Sequence, residues 1–128
     1  MSWDAYVKNQ LIATGHIQGG ALIGVGGGVW AKVKGGDFDL LPNEDKKLAA
    51  LFKQPPTAFT KGIWIKGVKY MAIKADKRSI YGRKLSKGLC MAKANKCIVI
   101  GWYNENVQPG NAATAVENLC DYLVSVKY

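Results

Sequence analysis

Short β-favouring segments separated by turn signals fill residues 63–103, and this pattern is the strongest constraint on the fold. Strands are expected at residues 63–65, 69–75, 79–84, 89–94 and 97–103. Turns of two or three residues join antiparallel strands, whereas parallel strands need long crossovers. The last segment, CIVIGWY, has no charged residue, which is typical of a strand at the centre of a sheet. The sequence therefore predicts an antiparallel meander with 97–103 near its middle.

Helical patterns lie on both sides of this meander. Ser2 has an N-capping side chain and Asp4 a charge suited to a first turn, so a helix is expected over residues 3–13. Strands at 21–23 and 29–33 follow around a glycine turn, and a second helix opens at Pro42 and ends before Pro55. A last helix starts at Pro109. We therefore expect one α+β domain over residues 1–128, an antiparallel sheet covered by helices.

The charge balance limits the possible partners. The chain has 18 Lys and Arg against 9 Asp and Glu, a net charge of +9. Such a surface favours an acidic partner, which could be a nucleic acid, an anionic membrane face or an acidic protein. Charge alone does not distinguish these partners, and a basic surface that is only solvated is a further alternative. The sequence has no run of 18 apolar residues, so no membrane-spanning helix is predicted. The first residues lack the pattern of a secretion signal, so a cytoplasmic location is expected.

The sequence gives no support for catalysis or metal binding. His16 is the only histidine, so neither a Ser/His/Asp relay nor a two-histidine metal site can be assembled. The glycines at 26–28 fit G-x-G-x-x-A, but β-favouring residues follow them where a dinucleotide site needs a helix. We interpret them as a hairpin turn. No enzyme activity, catalytic residue, metal or cofactor is expected.

The three cysteines are expected to be reduced. A two-residue turn at 95–96 would set Cys97 opposite Ala94 and Cys90 opposite Gly101, which pairs no two cysteines. Cys120 lies in the pattern of the last helix, and the chain has no CxxC motif. We interpret all three as small side chains that fill space in the interior.

Aromatic residues gather at the two ends of the sequence. Trp3 and Tyr6 are three residues apart, so they share one face of the first helix. Tyr122 and Tyr128 lie on or just after the last helix. If the terminal helices pack side by side, these rings would form an exposed strip suited to a polyproline II ligand. Simple core packing of some of these rings is the alternative.

Several segments, in order along essentially the whole chain, resemble the profilin family. They are SWDAYV at 2–7, VWA at 29–31, DKRSIYGRK at 76–84, YNENVQPG at 103–110 and VENLCDYL at 116–123. The likeness is greatest to the short profilins of amoeboid protists. It implies a central antiparallel β-sheet with the N- and C-terminal helices packed on one face and smaller helices on the other.

The resemblance also implies function. It indicates a cytoplasmic, cytoskeletal protein that binds monomeric actin, regulates actin polymerisation, and binds acidic inositol lipids and proline-rich proteins such as formin-type actin nucleators. The implied proline-binding residues are Trp3, Tyr6, Trp30, Tyr122, Leu123 and Tyr128. Trp30 joins this set through the resemblance alone. The implied actin-binding residues are Phe59, Lys69, Ala72, Lys74, Tyr81, Gly82, Arg83, Lys84, Gln108, Pro109, Gly110, Thr114, Glu117 and Asn118.

Basic residues around one predicted hairpin are the expected contacts for acidic inositol lipids. They are Lys77, Arg78, Arg83, Lys84 and Lys87. Because this cluster is present whether or not actin fits, a basic phosphoinositide-binding module without actin affinity is an alternative function. A nucleic-acid-binding module is a further class, but YGRK at 81–84 lacks the additional aromatics with which an RRM stacks bases. No nucleic acid partner is expected.

Overall fold

The computed structural model describes residues 2–128, which contain seven strands and four α-helices. The strands are β1 Gly19–Gly24, β2 Val29–Val33, β3 Ile63–Ile65, β4 Val68–Ala75, β5 Ser79–Lys84, β6 Lys87–Lys93 and β7 Cys97–Tyr103. The helices are α1 Trp3–Gln10, α2 Glu44–Leu51, α3 Thr57–Lys61 and α4 Pro109–Ser125. Across residues 2–128 no helix combines the length and apolar character needed to cross a bilayer.

The strands form one sheet in the order β2-β1-β7-β6-β5-β4-β3, and every neighbouring pair is antiparallel. The meander from β3 to β7 is confirmed. Strand β7 pairs with β6 on one side and β1 on the other, and all seven of its residues are buried. Its apolar sequence thus reflects burial on both faces of the sheet, as expected for an inner strand.

Side chains of β7 alternate between two separate cores. Ile98, Ile100 and Trp102 belong to a core that includes α2 and α3, whereas Val99 and Tyr103 belong to a core that includes α1 and α4. This alternation follows from the two-residue period of a strand. The terminal helices therefore pack on one face of the sheet and the smaller helices on the other, which confirms the predicted fold class.

Two helix predictions need correction. The first helix ends at Gln10 and is followed by a short 3₁₀ segment, Ile12–Thr14, instead of continuing to residue 13. Helix α3 was not predicted, because Pro55 and Pro56 were interpreted only as the end of the preceding helix. Pro56 has φ −58° and ψ −23°, so its ring fixes a backbone angle suited to the start of the next helix.

The hairpins follow the turn signals closely. Lys66 and Gly67 join β3 to β4, both with positive φ, as in the tight turns that suit twisted strands. Cys90 lies opposite Gly101 as predicted, and all three cysteines are free and buried. The turn between β5 and β6 is at Leu85 and Ser86, so β6 starts at Lys87, two residues before the predicted start at 89.

Glu44 has a structural role that its position in the sequence does not reveal. It lies in the first turn of α2, where an acidic residue is usually exposed, yet it is buried. Its carboxylate accepts hydrogen bonds from the backbone N–H groups of Leu41, Lys66 and Gly67, at 2.8, 2.8 and 2.9 Å. Charge-assisted bonds of this kind offset the cost of burying a carboxylate. Glu44 thereby attaches the start of α2 to the turn between β3 and β4.

Candidate ligand-binding surfaces

Five aromatic rings from four parts of the chain meet on the surface, and we call them the aromatic strip. They are Trp3, Tyr6, Trp30, Tyr122 and Tyr128. The ring centroid of Trp3 lies 5.5 Å from that of Tyr6, 4.9 Å from that of Trp30 and 4.9 Å from that of Tyr128. Tyr6 and Tyr122 are 5.9 Å apart. These separations are those of aromatic pairs in direct contact.

The packing of α1 beside α4 and β2 explains why these rings meet. Val7 of α1 and Leu11 just after it are fully buried in the core that also contains α4, and Trp3 and Tyr6 pack against the margin of that core. Trp30 comes from β2, the edge strand against which α1 packs. Its strand is distant in sequence from both terminal helices, so residue spacing could not place it in the strip.

The rings remain accessible, in contrast to one residue assigned with them. Tyr122 and Tyr128 are exposed, and Trp3, Tyr6 and Trp30 are half-buried. Leu123, by contrast, is fully buried among residues of α1 and α4. It supports the strip from beneath and has no surface to offer a ligand, so its assignment as a contact residue is corrected to a supporting role.

The strip can act chemically as a flat apolar surface with polar edges. Tyr122 beside it raises the pKa of the Tyr6 hydroxyl, which therefore keeps its proton at neutral pH and can donate a hydrogen bond. The Lys96 ammonium lies 5.6 Å from the centre of the Tyr128 ring, within the range of a cation–π contact. Aromatic faces beside donor groups suit a ligand that has flat rings and free carbonyl groups.

The implied actin-binding residues of β4 and β5 lie side by side in the sheet. Ala72 pairs with Gly82, Met71 with Arg83, and Lys74 with Tyr81. Gly82 is buried and has no side chain, so it can contribute to this surface only through the course of the backbone.

Two apolar residues of β4 that the sequence analysis did not select are strongly exposed. Met71 has 68% of its surface accessible and Ile73 has 56%, and Phe59 of α3 is also exposed at 55%. Helix α4 packs on β6 and β7, and β4 lies beyond it toward the edge of the sheet. Met71 and Ile73 are two residues apart in β4, and neighbouring exposed apolar side chains are typical of a protein–protein contact surface.

The implied actin-binding residues of α4 divide into exposed and internally bonded groups. Gly110, Thr114 and Asn118 are exposed and recur every four residues, so they share one face of the helix. Gln108 is also exposed, and Pro109 occupies the first helical position. Glu117, in contrast, is half-buried and directed toward β5.

Glu117 joins α4 to β5 through three hydrogen-bond donors. Its carboxylate accepts from the Ser79 hydroxyl at 2.6 Å, from the Tyr81 hydroxyl and from the Arg78 guanidinium at 3.1 Å. Burial and the adjacent Glu117 raise the pKa of Tyr81, so the tyrosine remains a hydrogen-bond donor. The polar atoms of Glu117 and Tyr81 are therefore bonded within the protein. They hold α4 against β5, and would influence a partner only through the position of these two elements.

The five basic residues expected to bind lipid do not form one cluster. Lys77 and Arg78 precede β5, whereas Arg83, Lys84 and Lys87 lie at its other end. Arg78 and Arg83 are five residues apart along the extended chain, and at about 3.3 Å per residue the two groups are roughly 17 Å apart.

Two of these five residues are also held in ion pairs. Arg78 bonds to Glu117 and Asp121, and Lys87 to Asp37 at 2.6 Å. Within residues 2–128, no carboxylate lies in ion-pair range of Lys77 or Lys84.

Neither metal ligation nor thiol chemistry is indicated in the described part of the chain. Within residues 2–128 no group of three His, Cys, Asp or Glu side chains is placed to hold a metal ion. Burial raises the pKa of Cys90 and Cys97 to about 12 and that of Cys120 to about 11. The thiolate form, which is the nucleophile, is therefore scarce at neutral pH.

Comparison with known proteins gives a consistent result. The family model described as Profilin matches residues 1–128. The chain is 48% identical over 128 residues to Profilin-P of Physarum polycephalum, covering 100% of both proteins. It is similar to the crystal structure of Schizosaccharomyces pombe profilin, with a TM-score of 0.93 and 43% identity over 99% of this chain and 100% of that one. Mouse profilin IIa, in complex with a double repeat from the FH1 domain of mDia1, has a TM-score of 0.78 over 100% of both chains; its 20% identity shows a common fold alone.

Proposed function

This chain belongs to the profilin family, and on that premise we propose that it binds monomeric actin and regulates actin polymerisation. We further propose that it binds proline-rich segments, including those of formin-type actin nucleators, and acidic inositol lipids. It would act in the cytoplasm and at the cytoskeleton, as a binding protein and not as an enzyme.

The observation that carries this proposal is the aromatic strip. Five rings linked by pairwise contacts, from α1, β2, α4 and Tyr128, remain accessible when the core is complete. A polyproline II helix is stiff before binding and lacks backbone donors, so its rings stack on aromatic faces at little entropic cost. A relative of the same fold, mouse profilin IIa, is described in complex with an FH1 repeat, which supports the same kind of ligand here.

Proline-rich ligands can be tested directly with immobilised poly-L-proline. The protein should be retained on the resin and should carry monomeric actin with it, because the aromatic strip and the β4–β5 face use different side chains. Retention of the protein without actin would support proline binding and contradict the actin proposal. Passage of the protein through the column would contradict the role assigned to the strip.

The proposed actin surface combines the exposed residues of β4 and β5 with the start of α4. Lys69, Lys74 and Arg83 supply positive charge, and Met71 and Ile73 supply an apolar area between them. A stable interface of standard size buries about 1,600 Å² in total, so it needs several such segments together. The complex is expected to contain one copy of each protein, which sedimentation of the mixture would check.

Acidic inositol lipids are proposed to compete with actin. Arg83 and Lys84 lie in the proposed actin surface and also belong to the basic residues assigned to lipid. A basic residue near an anionic leaflet contributes about 1 kcal/mol, so several together give attachment that weakens with salt. Vesicles containing phosphatidylinositol bisphosphate should release actin from the complex. If the vesicles sediment protein and actin together, the two sites are separate while lipid binding itself stands.

A lipid-binding module without actin affinity is the alternative function. It is favoured by Lys77 and Lys84, which are exposed and have no carboxylate in ion-pair range among residues 2–128. Actin assembly kinetics distinguish the two functions. If saturating protein leaves spontaneous assembly of actin unchanged while vesicles still bind, the alternative is correct.

A further inference from the structure

The hairpin between β5 and β6 carries a leucine in an unusual setting. Leu85 is 88% exposed, more than any other large apolar side chain among residues 2–128. Its φ is +56°, a left-handed conformation in which a leucine is disfavoured and a glycine is not. Folding of this chain therefore gains nothing from a leucine at this position, where the backbone is in a disfavoured conformation and the side chain is almost unpacked.

A basic pocket lies next to this leucine. A cavity of about 400 Å³ opens between the β5–β6 turn and the β3–β4 turn, which are at the same end of the sheet. Lys66 comes from one turn, Lys84 and Lys87 flank the other, and Leu85 forms part of the wall. Asp37 also lines the cavity, but its carboxylate is bonded to Lys87 at 2.6 Å. Three ammonium groups and one carboxylate leave the pocket with a net charge of +2 at neutral pH.

A buried tyrosine, Tyr70, also lines this pocket, and its hydroxyl has a proton to donate. Tyr70 is 2% exposed, and its oxygen accepts a hydrogen bond from the Trp102 indole nitrogen at 2.8 Å. Within residues 2–128 no acceptor is in hydrogen-bond range of the Tyr70 proton. Burial raises the pKa of Tyr70, so the proton is retained at neutral pH. A hydroxyl donor in the wall of a cavity with three cations suits a phosphate oxygen.

We propose that this end of the sheet docks on an anionic membrane, with Leu85 entering the lipid and a headgroup phosphate held by Lys66, Lys84, Lys87 and the Tyr70 hydroxyl. An apolar tip beside basic residues matches the membrane interface, where acyl chains lie immediately below charged headgroups. The inference rests on the proposed lipid binding. It replaces the five-residue cluster expected from the sequence with one site, to which Lys66, Tyr70 and Leu85 are new.

The two parts of the site respond differently to salt. Attraction between the lysines and the headgroups is screened as ionic strength rises, whereas transfer of a leucine side chain into lipid is not. Binding to vesicles should therefore keep a salt-resistant component that depends on Leu85. Free inositol trisphosphate offers the same phosphates without acyl chains, so it should bind the pocket weakly and with no dependence on Leu85.

Leu85→Asn is the informative variant, because asparagine tolerates positive φ and removes the apolar side chain without loss of fold. The probe is a phosphatidylcholine vesicle with a small fraction of phosphatidylinositol bisphosphate, assayed by co-sedimentation at physiological salt. Affinity should fall about tenfold, the fold-change for loss of one buried leucine. The matched control is Val29→Thr, an exposed apolar residue on the opposite edge strand, and it should bind like the parent.

The pocket is tested by Lys66→Gln, with Lys8→Gln of α1 as the charge-matched control. Lys66→Gln should lower the affinity for vesicles and for free inositol trisphosphate by similar factors, and Lys8→Gln should change neither. Insertion is tested separately by Leu85→Cys labelled with an environment-sensitive dye, since the native cysteines are buried. The dye emission should shift to the blue when vesicles are added.

The outcomes separate this inference from the proposed function. Parent-like binding of Leu85→Asn with no blue shift would overturn the docking site while leaving lipid binding intact. Equal affinity of the parent for free inositol trisphosphate and for vesicles would show that the acyl chains contribute nothing, and would overturn the insertion of Leu85 into lipid. No binding of the parent to any vesicle would remove the lipid-binding proposal and this inference with it.

Discussion

The ring of Trp3 lies 4.9 Å from the ring of Trp30, centroid to centroid, with the two planes tilted by 43°. Trp3 is the first residue of α1, and Trp30 belongs to the edge strand β2. The contact therefore connects the N-terminal helix to the edge of the sheet. It also places both indoles beside Tyr128, whose ring meets Trp3 edge-on at 81°. Trp3 contacts three of the other four rings of the strip, so its removal takes away the ring with the most contacts.

Trp3→Ala should weaken binding of poly-L-proline by on the order of 2 kcal/mol or more, as expected for an aromatic residue at the centre of a contact. Titration followed by intrinsic tryptophan fluorescence measures the change. Trp64→Ala is the control, since Trp64 has an exposed indole but lies in β3 at the other edge of the sheet. Actin binding should survive both substitutions. Parent-like proline binding by Trp3→Ala would show that the strip is not the site.

Replacement of Lys74 and Arg83 by Glu should slow the association with actin and weaken the complex. Both side chains are exposed on neighbouring strands, and charge reversal there would oppose an acidic partner surface. Stopped-flow association and the lag of spontaneous actin assembly measure the two effects. The same reversal at Lys8 on α1 is the control. If the double variant delays assembly as the parent does, the assigned face is wrong.

Glu117→Ala should lower the free energy of unfolding by about 1–3 kcal/mol, because the Ser79 and Tyr81 hydroxyls lose their acceptor. Asp121→Ala is the matched control. Asp121 is 68% exposed and bonds only to Arg78, so its removal should cost less than about 1 kcal/mol. Denaturant unfolding compares the two. Equal losses would mean that Glu117 does not hold α4 against β5.

Asp39 should make the folded protein sensitive to acid. Its hydrogen bonds with Lys32 and with the backbone N–H of Leu40 lower the pKa of Asp39 from 3.8 to about 2. The folded state then binds fewer protons than the unfolded state between these values, so acid favours unfolding. The stability that Asp39 contributes is complete above about pH 4 and is lost as the pH falls through about 2.

The comparison of parent and Asp39→Asn tests this directly. Thermal unfolding at a series of acidic pH values should show a shallower loss of stability in the variant. Lys32→Met removes the partner and should flatten the same part of the profile. Identical pH profiles for parent and both variants would contradict the assignment.

The sheet could be predicted from local features of the sequence. The turn at Lys66 and Gly67 and the register that places Cys90 opposite Gly101 depend only on neighbouring residues and the period of a strand. The missed helix α3 has five residues, too few to show a periodic pattern. It also follows two prolines, which were interpreted as an end and not as a beginning.

The binding surfaces could be predicted only in part, because they depend on contacts between distant segments. The pairing of Trp3 with Tyr6 followed from helix geometry. Trp30 reaches them because α1 packs on β2, and the number of residues between these elements does not predict that contact. Leu123 and Glu117 were assigned by resemblance, and their burial and internal bonds became visible only in three dimensions.

The aromatic strip brings Trp3 and Tyr128 into contact with nearly the whole sequence between them. The strip is therefore complete only in a molecule in which the segment of Trp3 and the segment of Tyr128 are both docked on the folded domain. If the strip binds proline as proposed, detachment of either segment should abolish retention on a proline resin while the sheet stays folded. Retention would then report on the docking of these two segments.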